Sequence, residues 1–406
     1  MLKSYSKIFK PNVGAGNFFL SILVWGIATG CFAAVLNNYL ADIRHISEME
    51  RGILEFFREM PGLLLVFIIA LMHKYTDWKI LKIGTLISMV GLAALMFSSD
   101  KIVITALIMV WSTGEHVLMP VRSSLAMHVA TEGNVGRSLG LLSGVSCAGS
   151  VTGSAIAAAI FFCGKRWFEI PNELTLYNVV WGFILLLLVF SLTAIITAKK
   201  EEFTVKRPRL YFHRKYTKFY ALELFYGARK QIFMTFAPYV LIKVYGMDTT
   251  NMALLLGLCA LVNIFCAPMI GKLTDAIGYK NIMIYDTVIL FFVCLVYGYA
   301  DTVFIRETAY IVVCINFLLD AIISTSSMAT NVYVREISST EDELTSTLTT
   351  GISINHLISI IAALIGGMLW ERHGYGVLFS FAAVMALANS AFAMTIPSPR
   401  KAKTAA

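Results

Sequence analysis

His73-Lys-Tyr-Thr-Asp77-Trp-Lys79 and Gly271-Lys-Leu-Thr-Asp275-Ala-Ile-Gly278-Tyr-Lys280 are two versions of one short segment. Each places Thr-Asp before a base, follows one long apolar run and leads directly into another. Asp77 and Asp275 stand 198 residues apart in a chain of 406, close to half its length. A spacing of that kind points to a fold made of two related halves. The segments themselves read as tight connections, too short to do more than turn the chain between two helices.

The runs they connect are membrane spans. The chain is 58% hydrophobic and 14% charged, with a mean hydropathy of +0.73. A soluble domain carries about 25% charged residues, so this chain could not cover a water-facing surface. A spanning helix takes about 20 apolar residues. Twelve runs qualify: 15–41, 52–72, 80–98, 102–128, 138–163, 176–198, 218–242, 251–271, 281–300, 308–333, 345–369 and 375–396. Lys3, Lys7 and Lys10 precede the first, which is long enough to span and reads as a helix rather than a cleaved leader.

Between the sixth and seventh spans lies the densest basic stretch, with Lys199, Lys200, Lys206, Arg207, Arg209, Arg214 and Lys215. It divides the chain into a six-helix bundle at 1–198, a linker at 199–217 and a second six-helix bundle at 218–406. With the N-terminus inside and the spans alternating, cytoplasmic segments, together with Lys82 and Lys218 at the cytoplasmic ends of their spans, hold 21 of the 33 Lys and Arg residues, and outer loops hold eight. That is the positive-inside asymmetry, and it predicts cytoplasmic termini and a cytoplasmic linker. It also explains the net charge of +8 through topology and anionic headgroups, without a nucleic-acid partner. The seven cysteines show no CxxC or Cys/His ligand spacing and read as small apolar side chains. No phosphate-binding glycine loop ending in Lys-Ser/Thr occurs. No cofactor, metal or enzymatic nucleophile is expected.

Gly271, Leu273, Asp275, Gly278 and Lys280 match the G-x-L-x-D-x-x-G-x-K/R loop motif, and with six plus six spans the whole chain resembles the major facilitator superfamily. The first-half copy keeps Asp77 but lacks both glycines. The resemblance implies an all-α membrane fold of two pseudo-symmetric bundles around one central site, worked by alternating access. It also implies that the first, fourth, seventh and tenth spans line the cavity and that the loop residues Gly271, Asp275, Gly278, Lys280 and Asp77 act in gating. Gly140, Gly144, Gly149 and Gly153 in the fifth span resemble the family's antiporter motif, without its Gly-Pro pair. Close helix packing through small residues is the other reading.

Ionisable groups at bilayer depth are costly and are functional candidates by default. The deep set is Glu55, Arg58, Glu59, Glu115, Arg122, Glu223, Arg229, Lys230, Asp286 and Asp320, six acids against four bases. A buried carboxylate without a base neutralises by taking a proton. In the fourth span Ser112, Glu115, Met119 and Arg122 share a face, and in the tenth Asn316, Asp320, Ser324, Ser327 and Asn331 form a polar stripe. In the seventh, Arg229 and Lys230 follow Tyr226 by one turn.

Two readings stand for this set. In one, Tyr226, Arg229, Lys230, Arg122, Asn316 and Asp320 bind an anionic solute while Glu115 or Asp320 carries a coupling proton. In the other, these groups are internal ion pairs and hydrogen bonds. Glu55, Arg58 and Glu59, near the outer end of the second span, read as an outer gate or a fixed brace. Asp286 reads as structural. His116 and His356 read as relay candidates or as satisfied hydrogen-bonding residues.

The expectation is a proton-coupled symporter for a small polar, anionic solute, monomeric and resident in a bacterial cytoplasmic membrane. The rival readings are a proton-driven pump for amphiphilic compounds and a membrane sensor that binds without transport.

Overall fold

A computed structural model describes residues 8–11, 13–72, 74–131, 134–198 and 212–398. Among them the chain is helical throughout, with one isolated bridge between Phe9 and Ala130. The helices are α1 (Ala15–Asn38), α2 (Glu48–Leu63), α3 (Leu65–Leu71), α4 (Asp77–Leu95), α5 (Lys101–Val129), α6 (Val135–Arg166) and α7 (Glu173–Thr197). They continue as α8 (Thr217–Tyr239), α9 (Thr249–Ile277), α10 (Tyr279–Val303), α11 (Arg306–Ser324), α12 (Met328–Ile337), α13 (Glu341–His373) and α14 (Tyr375–Met394). Residues 199–211 of the basic linker lie outside the described residues; Arg214–Tyr216 form a 3₁₀ turn leading into α8.

Ten helical stretches among the described residues are long and apolar enough to cross a bilayer. The two other expected spans are helical but rich in charge. The second is broken: Pro61 lies within α2, which ends at Leu63, and the helix resumes as α3. Proline has no N–H to donate and its ring crowds the preceding turn. The seventh, α8, carries Lys218, Glu223, Arg229 and Lys230. The tenth is interrupted by a 3₁₀ turn at Thr325–Ser327 between α11 and α12. There Ser324, Thr325 and Thr330 hydroxyls donate to carbonyls three residues back, which competes with the helical ladder and bends it. Large apolar side chains such as Phe97 and Leu71 are 88% and 84% exposed, as a lipid solvent allows.

The halves echo each other once more. The first helix of each ends in a π turn, at Tyr39–Ile43 after α1 and at Val240–Val244 after α8.

The chain forms two compact units. The first comprises residues 1–46, 57–207 and 247–261. Here α1 lies against α6 and α7, and α4 against α5. The α1–α6 contact is backbone on backbone. A Cβ on Gly30 would lie 2.3 Å from the Ser150 carbonyl oxygen, and one on Gly153 would lie 2.1 Å from that of Ile27. Gly149 is similarly tight against Leu23 and Gly26, whereas Gly140 and Gly144 meet nothing within 4 Å. Two of the four motif-like glycines therefore serve helix packing.

The second unit comprises residues 47–56, 208–246 and 262–406. In it α10 packs on α14 and α8 on α13. Gly227 brings α8 against the Asn355 backbone, 2.6 Å from where a Cβ would sit, and Ser359 Oγ donates to the Gly227 carbonyl at 3.2 Å. Where α10 begins, Tyr216, Phe219, Tyr279, Tyr333 and Val334 form a buried cluster.

Candidate functional site

In the first unit the membrane charges gather around α5. Trp111 donates its indole N–H to Glu115 at 3.2 Å. Trp25 of α1 stacks on Trp111, with centroids 5.8 Å apart and planes 9° apart, and Phe32 stacks on Trp111 at 4.5 Å. On Trp25 rests Arg122, its guanidinium 4.4 Å from the ring centroid. Arg122 and Glu115 feel each other's charge, yet among the described residues no carboxylate lies within ion-pair distance of Arg122. Its Nε is fully buried and donates to nothing described. The expected face of α5 is not uniformly buried: Ser112 is inaccessible and Met119 is 56% exposed.

Ser112 Oγ donates to the Arg58 carbonyl at 2.5 Å, and His116 Nδ1 lies 2.8 Å from the Ser112 carbonyl. Arg58 pairs with Glu59 at 2.8 Å. Glu55 pairs with Arg51, one turn earlier on α2, a base one residue before the expected second span.

In the second unit the adjacent bases of α8 part company. Successive residues on a helix point about 100° apart. Arg229 shares its side with Phe225, Ile232 and Phe233, facing Leu290 of α10 and Asn389 of α14 across a narrow crevice. Its Nη1 donates to Asp286 Oδ2 at 3.2 Å and its Nη2 to Asp320 Oδ1 at 3.4 Å. Asp286, read from the sequence as merely structural, is thus a direct partner of a candidate binding residue.

Lys230 lies within electrostatic reach of Glu223, two turns earlier. Glu223 accepts from Asn355 Nδ2 at 3.3 Å and Thr330 Oγ1 at 3.5 Å. Tyr226 bears on Arg229 electrostatically. Asn316 spends its amide on the Val293 carbonyl at 2.9 Å. The pairing of Asp286 and the polar cradle of Glu223 were not evident as sites in the sequence. The signal available was helical phase: Phe225, Ile232 and Phe233, at i−4, i+3 and i+4, surround Arg229 with apolar neighbours.

The motif segment is a joint rather than an extended loop. α9 runs to Ile277, Gly278 alone takes φ +86°, and α10 begins at Tyr279. Asp275 is exposed in the last turn of α9, with Gly271 one turn earlier beside Met328. Lys280 stands in the first turn of α10. In the first half Asp77 opens α4 and is 1% exposed, where helix N–H groups favour a carboxylate.

The sequence profile of the Major Facilitator Superfamily matches residues 17–340. No curated protein sequence matched. Among solved structures, a single-site mutant of the nucleoside transporter NupG aligns with a TM-score of 0.77 at 10% identity, covering 94% of this chain and 99% of that one. A POT family transporter in complex with 5-aminolevulinic acid gives 0.73 at 9%, covering 94% and 95%. A D-xylose–proton symporter gives 0.71 at 11%, covering 94% and 97%. At such identities these likenesses speak to the fold. Helices, apolar spans, the Gly278 joint and the matched profile agree, and the chain belongs to the major facilitator superfamily, a multi-pass membrane transporter rather than an enzyme.

Proposed function

We propose that this chain is a secondary active transporter that moves a small polar solute bearing an anionic group, by alternating access and in symport with protons. The observation that carries this reading is Arg122. A guanidinium at bilayer depth is expensive to keep, and the cation–π contact with Trp25 offsets only part of that cost. With its Nε buried yet donating to nothing described, and no described carboxylate in ion-pair range, a carboxylate or phosphate admitted beside it would complete its coordination through a charge-assisted fork. In the second unit, Lys230, with Tyr226 one turn before it, and Arg229 are the candidate cations for an anionic group.

The coupling proton resides on a membrane carboxylate, with Glu115 and Asp320 the groups indicated by the sequence. Asp275, Gly278 and Lys280, with Asp77 in the first half, set the rate of conformational exchange, and Glu55, Arg58 and Glu59 brace the outer end of the second span. We place both termini and the 199–217 linker in the cytoplasm of a bacterial cell, divide the working halves at that linker and expect a monomer.

The test is ligand-induced thermal stabilisation of the purified protein over a panel of small anions and their neutral analogues. Anions should stabilise, neutral analogues should not, and Arg122→Gln should weaken the stabilising anion at least ~10-fold, with Arg122→Lys in between. An anion that binds Arg122→Gln with undiminished affinity would overturn the assignment.

A further inference from the structure

Arg229 is nearly buried, and each of its two terminal nitrogens faces a different carboxylate, Asp286 at 3.2 Å and Asp320 at 3.4 Å. Both acids are themselves largely buried, at 11% and 17% side-chain exposure. Were all three groups ionised, the cluster would carry one uncompensated negative charge inside the bilayer. Among the described residues the surroundings offer no second base. From α8 comes the Tyr226 phenol, and from α10 the Cys294 thiol lies near Arg229 and Asp320. α14 contains no Asp, Glu, Lys, Arg or His, and contributes Asn389 to the crevice. α12 meets α10 through Tyr333 against Tyr279, at the far end of the helix. Buried charge without a partner is relieved most cheaply by protonation.

The geometry also says where the proton goes. Asp286 is the more buried acid, and its Oδ1 is fully enclosed without a hydrogen-bond donor. An ionised oxygen in that position is the costliest atom of the cluster. We infer that the Asp286–Arg229–Asp320 triad holds one exchangeable proton, seated on Asp286, so that Asp286 is the coupling-proton site of this carrier. The inference rests on the proton-coupled reading and moves the proton from Glu115 and Asp320 to their unassigned neighbour on α10. A proton from water adds to Oδ1 and leaves Oδ2 as a carbonyl that still accepts from Arg229 Nη1. Arg229 then has Asp320 as its sole anionic partner. Loss of the proton returns the excess charge and divides the arginine between two anions.

The experiment is an infrared titration of the purified protein in lipid, without substrate, following the carbonyl stretch of protonated carboxylic acids. Wild type should show one protonated carboxyl at neutral pH that is lost in Asp286→Asn. It should also be lost in Asp320→Asn, because either change leaves one acid against one arginine. Asp286→Glu should displace the band and Asp320→Glu should leave it in place. Persistence of the full wild-type signal in both Asn variants would overturn the shared proton, and a band displaced by Asp320→Glu alone would overturn its seat on Asp286. In proteoliposomes Asp286→Asn should abolish accumulation driven by a pH gradient. If wild type itself shows none, the transport reading fails while the infrared count still decides the site.

Discussion

Alanine at Gly153 and alanine at Gly140 are the same chemical change on the same helix, and α6 should answer them oppositely. A Cβ at residue 153 would lie 2.1 Å from the Ile27 carbonyl oxygen, 2.7 Å from the Cys31 nitrogen and 3.0 Å from the Ile27 carbonyl carbon. All three are backbone atoms of α1, so no side chain can rotate away. Ordinary contact begins near ~3.5 Å, and α1 and α6 would have to separate by about 1 Å along their crossing. That movement loosens the stacked contacts of Gly26, Gly30, Gly149 and Ser150 together and takes the Cys31 Sγ to Gly153 carbonyl hydrogen bond, at 3.1 Å, with it.

Overpacking of this kind costs about 1–3 kcal/mol, and the rigid partner places Gly153→Ala at the upper end. At Gly140 a Cβ meets nothing within 4 Å, so Gly140→Ala gains helix propensity, up to about 1 kcal/mol. Thermal unfolding of purified protein in one detergent, read by intrinsic tryptophan fluorescence, should show Gly153→Ala melting several degrees below wild type. Gly140→Ala should melt at or slightly above it. Equal melting of Gly153→Ala and wild type would refute the argument that backbone contact, rather than sequence motif, fixes this glycine.

In the same melting assay, Arg229→Gln strands the buried Asp320 carboxylate, so it should destabilise the fold by about 3–5 kcal/mol, and adding Asp320→Asn should restore part of the loss. Gly278→Ala forces an L side chain to φ +86° and should cost about 1–2 kcal/mol. Asp275→Asn, exposed and hydrogen-bonded to nothing described, should melt like wild type and slow substrate exchange without weakening binding more than a few fold. Outside the bilayer the Ser339 N–H, with help from Tyr216 and Lys215, holds the Glu343 carboxyl down to about 2. Its contribution is therefore present above the ordinary glutamate range and fades as pH falls towards 2. The melting difference between wild type and Glu343→Gln should be largest near neutral pH and shrink below about pH 4.

The amino-acid sequence by itself determined the class of this protein. Twelve apolar runs, the basic asymmetry and the repeated Thr-Asp segment are properties of composition and period, which a bilayer reads without regard to which helix touches which. The same holds for Gly278, whose role depends on its own backbone angle. Sequence also located the costly residues, since a charge within an apolar run is visible without coordinates.

What those residues do was decided by tertiary structure. Arg229 and Lys230 are neighbours in the chain and look like one site, yet helical twist sends Arg229 to Asp286 and Asp320 and leaves Lys230 near Glu223. Asp286 gained its importance only because α10 lies beside α8. Arg122 stands out because no described carboxylate lies within ion-pair distance of it, and the four glycines of α6 divide by whether α1 lies against them. Partnership between charges falls off within a few ångströms, and distances of that size between separate helices are fixed by packing rather than by position along the chain.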